Sequence, residues 1–274
     1  MSKVLSSEQI AAYRKDGFVA PIRAISTEKA ASIRQQLEAF EAKNGGPLSG
    51  SLRGHSHLLF TWLNELIREQ RIVDAIEDLY GENLFCWASS FFIKEPEDAS
   101  FVSWHQDSTY WGLSSPDVVT AWVALSESNK ANGALEVVPG THLQDQIPHR
   151  DTFSTNNMLT RGQEVAVDVD PKSAVMLELE PGEMSLHHVR LIHGSAPNPS
   201  KRRRIGFAIR YMPTTVRQLE GDDSASLVRG VDEHKTFEIQ PIPTRDMDPV
   251  TVAFHAKQHE RSAKILYRGA KIPA

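Results

Sequence analysis

The chain has 274 residues, 40% of them hydrophobic, a length for which one elaborated domain is sufficient. Its 30 basic and 35 acidic residues leave a net charge of -5, which removes the electrostatic footprint of a nucleic-acid binder and points to a small-molecule partner. Cys86 is the single cysteine, so no intrachain disulfide can form, and Met1 to Lys15 lacks the apolar core of a signal peptide; with no stretch of roughly 18 apolar residues, the sequence reads as cytoplasmic with no membrane partner.

The first 80 residues read as helical. Ser6 and Gln9 have the spacing of a capping box ahead of Ile10, Ala11 and Tyr13. Thr27 is the expected cap of a second helix, whose Ala30, Ile33, Leu37 and Phe40 form one apolar stripe ending at Gly45-Gly46. Two further apolar groups, Leu59 to Ile67 and Ile72 to Leu79, extend the helical pattern to Gly81. From residue 84 the pattern becomes short β-rich runs: 84–93, 118–125, 134–138, 165–169, 174–179, 184–188, 191–193 and 204–211. Turn residues separate them, among them Pro96, Gly133, Pro139-Gly140 and Pro181-Gly182, and strands of this length suggest a two-sheet sandwich or jelly roll. The segment 144–162 is expected to be a long loop at the barrel mouth, 220–224 a second loop, and 252–267 a terminal helix. The chain is thus read as a single domain, 1–274: a helical buttress (1–80), a β core (84–213) and a C-terminal extension (214–274).

The most informative pattern is His105-Gln106-Asp107, followed by His193 and then Arg204. On an extended segment, residues i and i+2 project to one side, so His105 and Asp107 can converge while Gln106 faces away. A late strand carrying His193 can lie opposite them and supply a third ligand. Two imidazoles and a carboxylate suit Fe(II) with open positions for a co-substrate and dioxygen, although zinc or manganese would accept the same atoms. Tyr110 and Trp111 follow closely and are candidates for the substrate wall.

In the run Lys201 to Arg204 the last arginine opens a strand. Alternation then places Arg204, Gly206, Ala208 and Arg210 on one face, and Ile205, Phe207, Ile209 and Tyr211 on the other. The apolar set is expected in the core, and the two small residues leave space beside Arg204 for a ligand carboxylate gripped bidentately. Arg210 on the same face is read as a rim charge.

Together these residues resemble the phytanoyl-CoA dioxygenase family of Fe(II)/2-oxoglutarate-dependent oxygenases. The resemblance runs from 5-LSSEQI-10 and Asp16-Gly17-Phe18, through Trp104 to Asp107, Asn132 to Leu135 and Pro139 to His142, to His193-Gly194-Ser195 and Arg204, covering about residues 5–213. It implies a mainly β fold with flanking helices around a double-stranded β-helix, a cupin-like jelly roll. It also implies that His105, Asp107 and His193 hold iron. Arg204 would pair with the distal carboxylate of 2-oxoglutarate, helped by Ser195 and with Trp122 nearby, and His188 resembles a histidine standing behind the ligands. The activity implied is a dioxygenase that consumes 2-oxoglutarate and O2, hydroxylates a small polar metabolite such as an amino acid, a natural-product intermediate or an organophosphonate, and releases succinate and CO2. Related halogenases carry a small residue in place of the carboxylate, so Asp107 points to hydroxylation or desaturation. Two other readings stand beside it: a non-catalytic metabolite sensor of the same fold, and a zinc-dependent hydrolase built on the same three ligands.

Overall fold

The computed structural model describes residues 2–270; Met1 and residues 271–274, the ends of the N-terminal and C-terminal segments read above, lie outside the described residues. Helix α1 (Ser7–Asp16) starts at the expected capping box, in which Ser6 Oγ accepts from the Gln9 amide at 3.2 Å and Gln9 Oε1 accepts from the Ser6 amide at 2.9 Å. It stops at Gly17, whose φ of 84° is left-handed. A Cβ there would lie 2.5 Å from the His142 ring and 2.8 Å from Leu191, so only glycine lets the chain turn down into the sheet.

That turn begins strand β1 (Phe18–Arg23), the first departure from the helical reading of residues 1–80. Pro21 and the short length mask the strand in the sequence; the proline is tolerated because β1 is an edge strand. Helix α2 (Thr27–Lys43) follows, and its cap is Ser26 rather than Thr27: Ser26 Oγ accepts from the Lys29 amide at 3.1 Å, and Thr27 is the first helical residue. Helices α3 (Thr61–Leu66) and α4 (Gln70–Tyr80) complete the buttress.

The β core comprises β2 (Leu84–Lys94), β3 (Val102–His105), β4 (Val119–Ala124), β5 (Leu135–Val137), β6 (His149–Asp151), β7 (Gln163–Val165), β8 (Val175–Leu177), β9 (Glu183–His188), β10 (His193–Ser195) and β11 (Arg204–Pro213). After it come β12 (Ser224–Arg229), β13 (Glu238–Ile239) and helix α5 (Pro249–Leu266). One sheet has the order β1-β9-β4-β11-β2-β12-β13, the facing sheet β3-β10-β5-β8, and β6 and β7 form a separate hairpin. The facing sheets make a double-stranded β-helix flanked by helices, the jelly-roll architecture expected.

Several boundaries differ from the sequence reading. The run 165–169 is a strand only as far as Val165, because the chain bends at Ala166 and Val167 and Asp170 then caps a short 3₁₀ turn, accepting from the Lys172 amide at 3.0 Å. The run 174–179 contracts to β8. The strand expected at 191–193 starts at its last residue, since the Leu191 amide is taken by a turn to the His188 carbonyl. Within 144–162 the chain forms β6, and the 214–274 extension adds β12 and β13 to the large sheet.

The two faces of the large sheet explain where the site sits. Ile205, Phe207, Ile209 and Tyr211 of β11, with Val119, Ala121 and Val123 of β4, pack against Leu37, Leu63, Leu66 and Ile72 of the helices. Each such side chain contributes about 1.5–3 kcal/mol by leaving water. The opposite face, carrying Trp122 and Ala208, is turned towards the smaller sheet, and the functional residues lie in the space between the two.

Candidate metal centre and co-substrate pocket

Three sequence-predicted ligands meet in this space. His193, the first residue of β10, pairs in register with His105, the last residue of β3. Gln106 remains extended and Asp107 opens a short 3₁₀ turn, so the carboxylate projects beside the imidazoles as the i, i+2 spacing required. Gln106 is pinned on the far side: its amide group donates to the Arg190 carbonyl at 2.8 Å and its side-chain oxygen accepts from the Ile147 amide at 2.8 Å. The Asp107 backbone amide donates to the Val189 carbonyl at 2.9 Å, which fixes the start of the turn.

One ligand atom from each of His105, Asp107 and His193 lies within 4.8 Å of the others, and all three residues are buried. His105 Nδ1 donates to the Ser103 carbonyl at 2.9 Å and faces the His193 carbonyl at 3.1 Å; His193 Nδ1 donates to the Leu191 carbonyl at 2.8 Å. With both Nδ1 atoms holding protons, the Nε2 lone pairs are free to coordinate, and the ring orientations are set by the backbone. Burial, together with the neighbouring His105, holds His193 well below the usual imidazole range, which favours the neutral form a metal needs. Burial works against ionisation of Asp107, but its contact with His105 and the charge of Arg210 hold its carboxyl well below the carboxylate range. Thr120 Oγ1 donates to the second carboxylate oxygen at 3.3 Å. Two neutral imidazoles and one carboxylate, buried and backbone-oriented, fit a single divalent cation.

The same cavity extends to Arg204, Ser195 and Trp122, the three residues the sequence assigned to the co-substrate. Arg204 is buried, donates to the Gly133 carbonyl at 2.6 Å, and sits 5.3 Å from the Trp122 ring, while its Nε has no partner among the described residues. The space expected at Gly206 is instead occupied by Trp122: a Cβ on Gly206 would lie 1.9 Å from the indole. Glycine is needed there because the Trp122 ring lies flat across β11.

Lys94 is a further candidate that the sequence reading missed. It stands opposite Arg204 in the β2–β11 register, is fully buried, and donates to Ser195 Oγ at 2.6 Å. Burial, with the Arg204 charge adding to it, pushes Lys94 down to about 6, and burial pushes Arg204 down to about 10. Neither makes an ion pair within contact distance of a carboxylate among the described residues. The available signal was a lysine closing an otherwise apolar strand, on the face that alternation gives to Phe92 and Arg204.

Other aromatic and charged residues lie differently. Tyr110 and Trp111 are outside the cavity wall: the Tyr110 hydroxyl donates to Asp151 at 2.9 Å under the Arg161 guanidinium, and Trp111 packs on Trp87. Arg161 is committed to Asp151, and Arg202 to Glu127. Trp62 belongs to the core against the helices. His188 faces Tyr13 and His142 and does not approach the ligands; the adjacent His187 does, with its ring centroid 4.8 Å from that of His193. Strand alternation makes one residue the difference between the two faces. Arg210 is not at the rim but 7% exposed, inside the cavity.

The sequence profile described as Phytanoyl-CoA dioxygenase (PhyH) matches residues 2–206. The chain belongs to the phytanoyl-CoA dioxygenase family. A relative from Stutzerimonas stutzeri, described as a "probable alpha-ketoglutarate-dependent hypophosphite dioxygenase", is 34% identical over 175 residues, covering 63% of this chain. The match spans 60% of that relative's length. Among solved structures, the apo form of the non-heme monooxygenase ThoJ superposes with a TM-score of 0.85 at 30% identity, covering 95% of this chain and 98% of that one. CytC3 with Fe(II) and alpha-ketoglutarate superposes with a TM-score of 0.65 at 26% identity, covering 90% and 97%. The candidate ligands here are a His-x-Asp pair and a distant histidine. No helix among the described residues is long and apolar enough to cross a membrane.

Proposed function

We propose that this family member is an Fe(II)- and 2-oxoglutarate-dependent dioxygenase that hydroxylates a small polar metabolite, with release of succinate and CO2, the whole chain acting as one catalytic unit. The observation that carries this reading is the meeting, in one cavity, of three buried ligand residues with Arg204 and Ser195, with the buried Lys94 standing opposite Arg204 and donating to Ser195 behind them. In this reading His105, Asp107 and His193 hold the iron. Arg204, Lys94 and Ser195 take the distal carboxylate of 2-oxoglutarate, and Trp122 walls that end. Iron bound with 2-oxoglutarate supplies oxidative decarboxylation coupled to oxygen insertion.

The protein's own part is orientation and exclusion of water. Buried imidazoles with backbone-fixed Nδ1 protons need no reorganisation to bind metal, and burial strengthens every charge contact within the cavity. No side chain is required as a general base. Asp107 occupies a coordination position that halogenation would need open, which favours hydroxylation. The Lys94 and Arg204 pair favours this reading over a zinc hydrolase, which has no use for a buried arginine with a lysine beside it near its metal.

The test is turnover of 2-oxoglutarate with Fe(II) under isotopically labelled dioxygen, over a panel of amino acids, phosphonates and natural-product-like amines. One label atom in succinate and one in a hydroxylated product is the expected result. Turnover with zinc in the absence of oxygen would replace this reading with the hydrolase, and tight 2-oxoglutarate binding without succinate would replace it with the sensor.

A further inference from the structure

Arg210 is a buried cation whose position neither the fold nor the co-substrate end of the cavity explains. It lies on β11 on the face of Arg204 and Ala208 and lines the same cavity as the three ligand residues. Its Nε is buried without a hydrogen-bond partner, and among the described residues no carboxylate or carbonyl accepts from its guanidinium. Two aromatic rings flank it: Phe92 at 5.7 Å and Trp111 at 5.8 Å from ring centroid to guanidinium carbon. Such contacts support a cation weakly compared with a hydrogen-bonded counterion. A buried arginine without an ion pair is costly, and a fold that needed only volume at this position would be served by an apolar side chain.

The location separates Arg210 from the co-substrate cations. Arg210 lies six positions along the strand from Arg204, about 20 Å between Cα atoms, so the two guanidinium groups serve different ends of the cavity, Arg210 the end level with Thr120, which bonds Asp107. Arg204 is accompanied by Lys94, whereas Arg210 is accompanied by the ligand side, where it lies in the field of Asp107. His187, buried and with Nδ1 lacking a partner among the described residues, faces the same cavity and can contribute one more hydrogen bond.

Charge balance gives the class of ligand. With a divalent metal, Asp107 and 2-oxoglutarate in place, the positive and negative charges around the metal and Arg204 nearly cancel, while Arg210 remains uncompensated. We infer that Arg210 is the specificity-determining residue for substrate, and that the substrate carries an anionic oxygen group, a carboxylate or a tetrahedral oxyanion, which the guanidinium grips with His187 alongside. This rests on the oxygenase reading above and narrows its small polar metabolite to an acid. The fork geometry positions the rest of the substrate towards His105, Asp107 and His193.

Calorimetric titration tests this without turnover. Protein loaded with Mn(II) and 2-oxoglutarate is titrated with acetate and with methylphosphonate, and in parallel with their neutral counterparts acetamide and dimethyl methylphosphonate. The expected result is binding of at least one anion, at least tenfold weaker binding of its neutral counterpart, at least tenfold loss in Arg210→Gln, and partial retention in Arg210→Lys. The two anions distinguish a planar from a tetrahedral group. Equal binding of neutral and anionic probes, no binding of either anion, or unchanged anion binding in Arg210→Gln overturns the inference. Loss of 2-oxoglutarate binding in Arg210→Gln would also overturn it, by assigning Arg210 to the co-substrate. Absence of any heat on adding 2-oxoglutarate to the Mn(II)-loaded wild type would instead count against the oxygenase reading. In that event the anion titrations are run on metal-free Arg210→Gln and Arg204→Gln, and a loss confined to Arg210→Gln upholds the anion site.

Discussion

Replacing Lys94 with methionine should change how stability depends on pH. Lys94 is fully buried, and burial with the nearby Arg204 charge lowers it from an ordinary 10.5 to about 6. The unfolded chain keeps that proton up to the ordinary value, whereas the folded chain releases it above about 6. Between these limits the unfolded state binds more protons, so folded stability falls as pH drops, by about 1.4 kcal/mol per pH unit, and the loss is complete below about 6. From pH 9 to pH 7, wild type should therefore lose about 2.7 kcal/mol more than Lys94→Met. Urea unfolding of both proteins at the two pH values, with chelator and without 2-oxoglutarate, measures the difference. Adding 2-oxoglutarate to the metal-loaded proteins should stabilise wild type more than Lys94→Met, because the lysine's charge acts against the co-substrate. Parallel stability profiles for the two proteins would refute the assignment of Lys94 as a buried, charge-poised cation.

Two further substitutions probe how the pocket is held. Gly206→Ala puts a methyl group 1.9 Å from the Trp122 ring, so the indole must leave its place over Arg204; overpacking of about 1–3 kcal/mol and weaker co-substrate binding are expected in thermal melts with and without 2-oxoglutarate, and an unchanged melt would show the ring to be free. Arg203 pairs with both oxygens of Glu41 at 2.7 and 2.8 Å, tying α2 to the start of β11. Glu41→Gln should cost about 1–3 kcal/mol in denaturant unfolding at neutral pH. Burial opposes ionisation of Glu41, but the Arg203 hydrogen bonds hold its carboxyl below the ordinary range, so this contribution is present above that range and is lost as pH falls through the depressed value. An identical pair of acid-unfolding curves for wild type and variant would remove the pair from the account.

The ligand set was legible because two periodicities fix it: i, i+2 on an extended segment brings His105 and Asp107 to one side, and the run after Arg204 alternates in the right phase. The same alternation put Ile205, Phe207, Ile209 and Tyr211 into the core. Lys94 was hidden because the position of a cross-strand partner depends on register, which no local pattern encodes. His188 in place of His187 was an error of one residue in strand phase. Arg210 read as a rim charge because an unpaired arginine on a cavity face is rarely buried; its burial follows from Phe92 and Trp111 closing over it. Strand β1 was masked by Pro21, which only its edge position accommodates.

Anaerobic addition of 2-oxoglutarate to Fe(II)-loaded protein tests the central claim most directly. Chelation of the keto acid to iron held by His105, Asp107 and His193 should give a visible metal-to-ligand charge-transfer band, saturating at one iron per chain and absent from His193→Ala. A band of equal intensity in His193→Ala, or no band in wild type at saturating iron and 2-oxoglutarate, would contradict the account.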